Sequence, residues 1–330
     1  MNKDIKIAGA TYSGVPAIKI PAPDGGTVRY TEVSDTTATA ADVASGKVFY
    51  DASGNKATGT GSGSSGGGYD VFFRDKAINL TDDNIPAQNS NGQLVLVGTT
   101  GAVISIDSQK ITSVNSNACS NSDRLKKVNI PNAKKIGSNA FETDTVLETI
   151  CIPAAAEISP WCFAQCYNLA EINADGATKI GEYAFSGASS YTAKDIHLAF
   201  PSVKAVDGNA FGTFGGYSGN NKLTIKLPEV ETTGYNVFSN ARFSIIDLGA
   251  TLTNVASYPI YGCDDLTALV IRATTPPTLQ DGLIYNWNQL PTNTFIYVPD
   301  GSIETYKAAT NWSKYADKFK PLSEYVEDAT

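Results

Sequence analysis

Apolar and polar positions alternate in short, regularly spaced segments along most of this chain. Seven segments carry two apolar residues with one position between them, and such a pair is typical of a short strand with one inward face. The pairs are Val128/Ile130, Ile150/Ile152, Ile172/Ala174, Ile196/Leu198, Ile225/Leu227, Ile246/Leu248 and Leu269/Ile271. In five of them a further apolar residue stands three positions earlier, namely Leu125, Leu147, Leu169, Phe243 and Leu266.

A second pattern, a small residue followed by an aromatic one, runs in step with these strands. The aromatic positions are Phe141, Phe163, Phe185, Phe211, Phe238 and Tyr261, at intervals of 22, 22, 26, 27 and 23 residues. One unit of this length cannot bury its own apolar side, so the units must stack on one another. The sequence therefore predicts a mainly β solenoid with a parallel strand ladder and a core row of aromatic rings.

The residues of these units resemble a known family. The segment Leu147–Pro153, followed by Ile180–Gly187, is similar to the BspA-like leucine-rich-repeat family, and Ile296–Pro299 with Tyr306–Trp312 resembles its closing cap. The resemblance covers about 119–320. It departs at the fourth and fifth units, where Ser189–Lys194 and Gly212–Asn221 lengthen loops and the leading leucine is missing.

A run of glycine, serine and threonine at 59–68 cannot bury a core and divides the chain. The sequence predicts a small β anchoring module (1–58), a flexible Gly/Ser linker (59–68), an N-terminal cap of the solenoid (69–118), leucine-rich repeats (119–292) and a C-terminal cap with a short helix (293–330). In the first module we expect strands at Ile18–Pro21, Thr27–Tyr30, Lys47–Tyr50 and Lys56–Thr58 and a short helix at Ala40–Ser45. In the N-terminal cap we expect strands at Val71–Phe73 and Leu94–Val97.

The N-terminal module carries a second, looser resemblance. Asp24–Val28 and Thr39–Tyr50 are similar to modules of phage and prophage virion proteins, such as tail or fibre proteins. This resemblance implies attachment to virion proteins through residues 1–58, with the repeats carried outward. Because the module holds few large apolar residues, we expect it to need a partner or an oligomer for stability, and we expect the protein to form a homo-oligomer.

Charge narrows the range of partners. The net charge is −8, and the acidic excess lies in 69–330 because 1–68 is balanced. An acidic body repels phosphate, so we expect no nucleic acid partner. The start, Met1–Ile7, lacks the apolar core of a signal peptide, and no stretch is long enough for membrane insertion. We therefore expect assembly in a bacterial host cytoplasm and a final location on a virion, at the phage tail or capsid surface.

The motifs that match catalytic, cofactor or metal sites lack the surrounding elements that such sites require. Gly61–Gly66 fits a dinucleotide fingerprint and Gly63–Gly67 a nucleophile elbow, but both lie in the glycine run, without the strand and helix that each motif requires. Cys162 and Cys166 have no second ligand pair nearby. Asp82–Asp83 and Asp264–Asp265 lack a calcium-loop pattern and are interpreted as solvated turns. We expect no catalytic residue, no metal and no cofactor.

The remaining candidate is the outward side of the stacked strands, which we expect to bind a host cell-surface protein or glycan. Its outer row reads Asn129, Cys151, Asn173, His197, Lys226, Asp247, Val270, Tyr297, and the row before it reads Lys127, Thr149, Glu171, Asp195, Thr224, Ile245, Ala268, Phe295. The rows become apolar and aromatic toward the C-terminus, which indicates either binding or cover by the terminal cap.

Of these rows, the proposed ligand-binding residues are Asn129, Asn173, His197, Lys226, Asp247, Phe295 and Tyr297. The leading hypothesis is a phage or prophage structural protein for host attachment. A virion-decorating fibre or spacer without a receptor and a bacterial surface adhesin remain open alternatives. An enzyme that uses His197, the one histidine, is a third.

Overall fold

The computed structural model describes residues 3–7, 10–15, 18–21, 27–30, 48–50, 56–58, 78–82, 93–94, 103–192, 194–216, 221–285 and 290–327. The chain divides into two units, Met1–Gly67 and Gly68–Thr330. Each unit is built on a different strand arrangement: antiparallel pairs in the first, parallel ladders in the second.

In the described part of the first unit, the strands form antiparallel pairs. They are β1 (Lys3–Ile7) with β2 (Ala10–Val15), β3 (Ile18–Pro21) with β4 (Thr27–Tyr30), and β5 (Val48–Tyr50) with β6 (Lys56–Thr58). The last two pairs confirm the strands that alternation predicts there. The pair β1–β2 was not predicted, and the helix expected at Ala40–Ser45 lies outside the described residues.

The second unit is a coil of parallel strands. In chain order they are β7 (Ile78–Thr81), β8 (Gln93–Leu94), β9 (Val103–Asp107), β10 (Ser113–Val114), β11 (Lys127–Asn129), β12 (Lys135–Ile136), β13 (Thr149–Cys151), β14 (Glu157–Ile158), β15 (Glu171–Asn173), β16 (Lys179–Ile180), β17 (Ile196–Ala199), β18 (Ala205–Val206), β19 (Leu223–Leu227), β20 (Thr232–Thr233), β21 (Ile245–Leu248), β22 (Asn254–Val255), β23 (Ala268–Ile271), β24 (Thr278–Leu279), β25 (Phe295–Val298) and β26 (Phe319–Pro321). The odd-numbered strands and β26 form the long-strand face. The even-numbered strands β8–β24 form the short-strand sheet.

Strands of successive coils pair in parallel, as in Lys127–Thr149–Glu171 across β11, β13 and β15. The predicted fold class, a mainly β solenoid with a parallel ladder, is confirmed. Among the described residues the long-strand face consists of two sheets, β7–β15 and β17–β26, because β15 and β17 are not paired. The break coincides with the lengthened loop at Ser189–Lys194.

The short-strand sheet was not predicted. Its two-residue strands, such as Lys135–Ile136 and Lys179–Ile180, are too short to show a period of their own, and the sequence indicated only a tight turn there. Stacking makes them strands, because each backbone bonds to the coils on either side. One residue of each pair points into the core.

The third side of each coil is a turn that carries the aromatic row. Its backbone also bonds from coil to coil: the Phe141 N–H donates to the Cys162 carbonyl (3.0 Å), and the Phe163 N–H to the Ala184 carbonyl (2.8 Å). The rings stack in the predicted order, with centroids 5.4 Å apart for Phe141–Phe163, 5.3 Å for Phe163–Phe185, 5.2 Å for Phe185–Phe211 and 5.7 Å for Phe211–Phe238. All five rings are buried, which confirms the aromatic core row.

The prediction of Tyr261 as the sixth member of the row is wrong, because the core position lies one residue earlier. The Phe238 N–H donates to the Pro259 carbonyl, so the next residue, Ile260, fills the core position and is 2% exposed. Tyr261 is half-buried, and its ring centroid lies 4.6 Å from that of half-buried Tyr285. The sequence does not distinguish the two positions, because Ile260 and Tyr261 are adjacent and both can fill a core site.

Both ends of the repeats continue or close the same core. The described part of the segment predicted as N-terminal cap is itself coiled, since β9 and β10 pair with β11 and β12. At the C-terminal end, α1 (Ile303–Ala308) lies between the 3-10 helices Asp300–Ser302 and Trp312–Tyr315, and a third follows at Leu322–Glu324. Tyr306 and Trp312 from this segment are fully buried, and both donate to carbonyls of the last coil.

Candidate functional site

The first half of the long-strand face is polar and open. Asn129 is half-buried and Asn173 exposed, and half-buried Cys151 lies between them in register. The Asn129 amide donates to the Asp107 carboxylate (2.9 Å), so neighbouring coils are linked on this surface as well. The structure brings these two predicted binding residues together on one sheet.

His197 lies on the other sheet of this face and in a different row from the predicted one. It pairs with Thr224, and its ring Nδ1 lies 2.9 Å from the Thr224 hydroxyl. Lys226 instead pairs with Ala199. The predicted alignment of His197 with Lys226 is therefore wrong by two residues. Both strands carry three alternating apolar residues, and a slip of two residues leaves the apolar pattern unchanged.

The second half of the long-strand face is covered by the C-terminal segment. Ile245, Ala268 and Val270 form a small buried apolar cluster with Leu322 and Tyr325 of that segment. The apolar outer rows had two interpretations, partner binding and cover by the terminal cap. At this cluster the terminal cap covers the rows. An exposed apolar binding patch is not found at these positions.

The remaining predicted binding residues lie at or under this cover. Asp247 is only 4% exposed, and its carboxylate accepts two hydrogen bonds from Arg272, at 2.9 and 2.7 Å. Lys226 is half-buried, with its ammonium 4.0 Å from Glu327 of the tail. Half-buried Tyr297 packs on Tyr325, with ring centroids 5.2 Å apart. Half-buried Phe295 carries the Lys320 ammonium 3.8 Å above its ring centre.

A second surface, which sequence reasoning missed, lies where the short-strand sheet meets the turn. A shallow groove of about 470 Å³ opens there, lined by Glu182, Val206, Asp207, Gly208, Thr232, Thr233, Gly234, Asn254 and Ala256. At the turn of the neighbouring coils, the rings of Trp161 and Tyr183 stack with centroids 4.2 Å apart and planes 17° from parallel. Comparing the residue two positions before each core aromatic would have revealed this pair, because the coils of Phe141, Phe211 and Phe238 carry asparagine there.

Polar groups in the interior are suited to packing. Cys119, Cys162 and Cys166 are fully buried, and burial raises the pKa of each thiol, so the thiols stay protonated. Cys151, which the sequence places in the outward row, is the most accessible cysteine. The described residues contain no group of three or more histidine, cysteine or acidic side chains placed to hold a metal ion.

Burial also governs the nearby carboxyl of Asp144. It is 0% exposed, and burial raises its pKa from 3.8 to about 9. One oxygen accepts the Ser122 N–H at 2.7 Å, while the other has no hydrogen-bond partner.

The fold therefore defines a leucine-rich-repeat solenoid, and the comparisons with known families place it further. Residues 102–216 and 201–300 match the model of the BspA type leucine rich repeat region, with six copies. This span is more than half of the chain, and the chain belongs to that family. No curated protein matches the chain. Among the described residues, no helix combines the length and the apolar character needed to cross a bilayer.

Several solved structures are similar. A leucine-rich repeat protein from Bacteroides ovatus ATCC 8483 is 19% identical with a TM-score of 0.32, and the alignment covers 68% of this chain and 64% of that one. A leucine rich cell surface protein from Faecalibacterium prausnitzii A2-165 is 18% identical (TM-score 0.26; 75% and 87% covered). The pneumococcal vaccine antigen PcpA is 12% identical (TM-score 0.27; 77% and 89% covered). The chain thus spans less than two thirds of the first of these proteins.

Proposed function

We propose that this protein is a recognition protein, with an adhesive role, whose repeats present a rigid surface to a partner on a bacterial cell. The observation that carries this proposal is the open polar part of the long-strand face, where Asn129 and Asn173 stand on one sheet and exposed His197 stands on the other. Side chains on a stacked sheet are held in place by the coils on either side, so little conformational entropy is lost when a partner binds.

The finer proposal is a phage or prophage structural protein. Residues 1–58 would attach the chain to virion proteins, and the repeats would contact a host cell-surface protein or glycan. The family match begins at residue 102, so the virion assignment depends on the sequence resemblance of the N-terminal module alone. On a virion, many copies would act together, and multivalency raises avidity by roughly 10²–10⁴ over one weak contact.

Binding of whole cells tests the proposal. Beads coated with the full chain should retain cells of the host bacterium, whereas beads coated with serum albumin should not. Asn173→Arg and His197→Glu should reduce the number of retained cells. Lys134→Glu, an exposed change away from the long-strand face, serves as the control and should leave retention unchanged.

Cover of Asp247 and of the cluster around Val270 by the C-terminal segment favours a second candidate, a fibre or spacer that needs no receptor. Uniform tolerance of all outward substitutions, with no cell retention by the unchanged chain, would support the spacer and contradict the recognition proposal. Imaging of particles with an antibody to residues 69–330 would separate a virion protein from a bacterial surface adhesin. An activity lost on replacement of His197 alone would point to an enzyme.

A further inference from the structure

The tail, residues 322–327, covers the second half of the long-strand face from outside. Beneath it lies a small apolar cluster that is distinct from the core inside the coils and is formed by Ile245, Ala268 and Val270. Leu322 and Tyr325 of the tail pack on this cluster. The cover is therefore a peptide segment attached to the outer surface of the stacked strands.

The face matches the tail in charge as well as in apolar character. The Glu327 carboxylate lies 2.7 Å from the Arg272 guanidinium and 4.0 Å from the Lys226 ammonium. The Tyr325 ring packs on Tyr297, with ring centroids 5.2 Å apart. The tail thus shows directly what this surface binds: a short peptide in which leucine, tyrosine and glutamate follow at intervals of three and two residues.

The tail can leave the face while the coils stay intact. The strand before it, β26, is anchored by Phe319 in the main core and ends at Pro321. Beyond Pro321 a 3-10 turn covers Leu322–Glu324, and the described residues 325–327 adopt neither helix nor strand. The side chains of Glu327 and its two cationic partners are 35 to 55% exposed, so solvent and salt screen these ion pairs.

A released tail leaves an apolar patch open to water, and a peptide of the same pattern restores its cover. A second copy of this chain carries that peptide. Because exchange of an identical segment between two copies reproduces the contacts of the closed form, it costs little beyond the entropy of association. Charge supports the same occupant, since the acidic tail of a second copy meets the same Arg272 and Lys226.

We propose that the long-strand face binds the tail of a second copy, so that two copies associate by exchanging residues 322–327. Attachment of the tail within its own chain prevails in dilute solution, because a short connection gives an effective concentration in the millimolar range. Exchange takes place where copies are held close together. This association needs no host partner and goes beyond the recognition function.

Two complementary variants of the full chain test the exchange without competition from the chain's own tail. In the tail variant, Leu322→Ser and Tyr325→Ser remove the apolar contacts of the tail and leave the face empty. In the face variant, Ala268→Glu places a carboxylate on β23, between β21 and β25, where it repels the acidic tail and sets it free. The changed side chains lie outside the main core, so both variants should fold, and thermal melting checks this.

Analytical ultracentrifugation measures the association, with a fluorophore on the N-terminus of the tail variant. The labelled tail variant should sediment faster when the face variant is added at roughly 0.1 mM, because a free tail then meets an empty face. The gain in mass should equal one added chain per labelled chain. An unchanged sedimentation coefficient would overturn the proposal.

Two controls separate tail exchange from adhesion of the uncovered patch. A triple variant that combines Ala268→Glu with both tail substitutions has no tail to donate, so it should not bind the labelled tail variant. Val326→Ser changes a side chain that is 81% exposed, so the face stays covered, and the labelled Val326 variant should bind the face variant at least about tenfold more weakly.

Binding of the triple variant as strong as that of the face variant would contradict exchange of the tail. Equal binding by the Val326 and tail variants would contradict the cover within one chain. These measurements use no host cells, so failure of the exchange proposal leaves the recognition proposal unaffected.

Discussion

The buried carboxyl of Asp144 ties the stability of this protein to pH. Its pKa is raised to about 9 in the folded state because burial penalises the ionised form, whereas in the unfolded chain it ionises near 3.8. Between these two values the unfolded state releases a proton that the folded state retains. The contribution of Asp144 to the free energy of unfolding therefore falls as pH rises from about 4 to about 9.

Replacing this carboxyl with an amide should remove that dependence. We expect Asp144→Asn to be more stable than the unchanged chain at neutral pH, with a difference that grows by up to about 1.4 kcal/mol per pH unit above pH 4. Urea unfolding at pH 4, 6 and 8 measures it. Exposed Asp123→Asn is the control. A difference that stays constant or shrinks with rising pH would contradict the burial of an ionisable Asp144.

Thr233 is a polar residue at a core position. Its neighbours in the short-strand sheet are Val206 and Val255, both buried, and its hydroxyl oxygen has no hydrogen-bond partner. We expect Thr233→Val to raise the free energy of unfolding by about 1 kcal/mol, because it removes an unsatisfied buried hydroxyl. The adjacent, exposed Thr232 offers the matched control, since Thr232→Val should change stability little. Denaturant unfolding of both variants measures these changes. A destabilised Thr233 variant would contradict the assignment of an unsatisfied buried hydroxyl.

Phe185 has a ring on each side in the aromatic row and is fully buried. Phe185→Ala should lower the free energy of unfolding by about 3–5 kcal/mol through the cavity that it leaves. Tyr261→Ala distinguishes the structure from the sequence alignment: Tyr261 is half-buried beside the row, so its loss should cost much less. Equal costs in thermal or denaturant unfolding would restore Tyr261 to the row and contradict the structure.

At the scale of the strands, the sequence predicts the existence of elements better than their alignment. Where the coils have nearly constant length, as in those that hold Phe141, Phe163 and Phe185, the alignment predicted from the sequence agrees with the observed strand register. The alignment of His197 fails by two residues where a lengthened loop interrupts the repeat, because period-two strands slip by two without exposing an apolar residue. The short strands escape prediction because stacking alone defines them.

The candidate sites show the same division. The polar residues Asn129 and Asn173 can be placed on the open face from their spacing, since adjacent coils of equal length fix their register. The burial of Asp247 cannot be predicted in this way, because the segment that covers it lies some 75 residues later in the sequence and has no repeat signature. The groove is lined by residues of four coils, and they can be recognised as neighbours only after those coils have been aligned.

The covering C-terminal segment is fixed by an ion pair with a buried partner. The Asp247 side chain is 6% exposed and that of Arg272 35%, and Arg272 also reaches Glu327 at 2.7 Å. Arg272→Ala should cost about 3 kcal/mol, since it leaves a buried carboxylate unpaired. In the Arg242–Asp265 pair the carboxylate side chain is 40% exposed, so Arg242→Ala should cost less than about 1 kcal/mol. Chemical denaturation of the two variants compares them; similar losses would mean that Asp247 is not covered.

At the scale of the whole second unit, one architecture produces two separate surfaces. Stacking presents the outward positions of the long strands as a sheet, half open and half closed by the C-terminal segment. The same stacking aligns corner residues of successive coils and creates the aromatic pair and the groove. The acidic balance of 69–330 accompanies both surfaces and disfavours anionic partners.

All of these features require that residues one coil apart, 22 to 27 positions in sequence, be direct neighbours in the core. Nuclear Overhauser measurements on protein labelled in its phenylalanine rings test this, with rings assigned by single Phe→Leu variants. Because the centroids of Phe141–Phe163, Phe163–Phe185 and Phe185–Phe211 lie 5.2 to 5.4 Å apart, each pair should give a ring-to-ring cross-peak. Assigned rings without these cross-peaks would contradict the stacked coils and the binding surface proposed on the long-strand face.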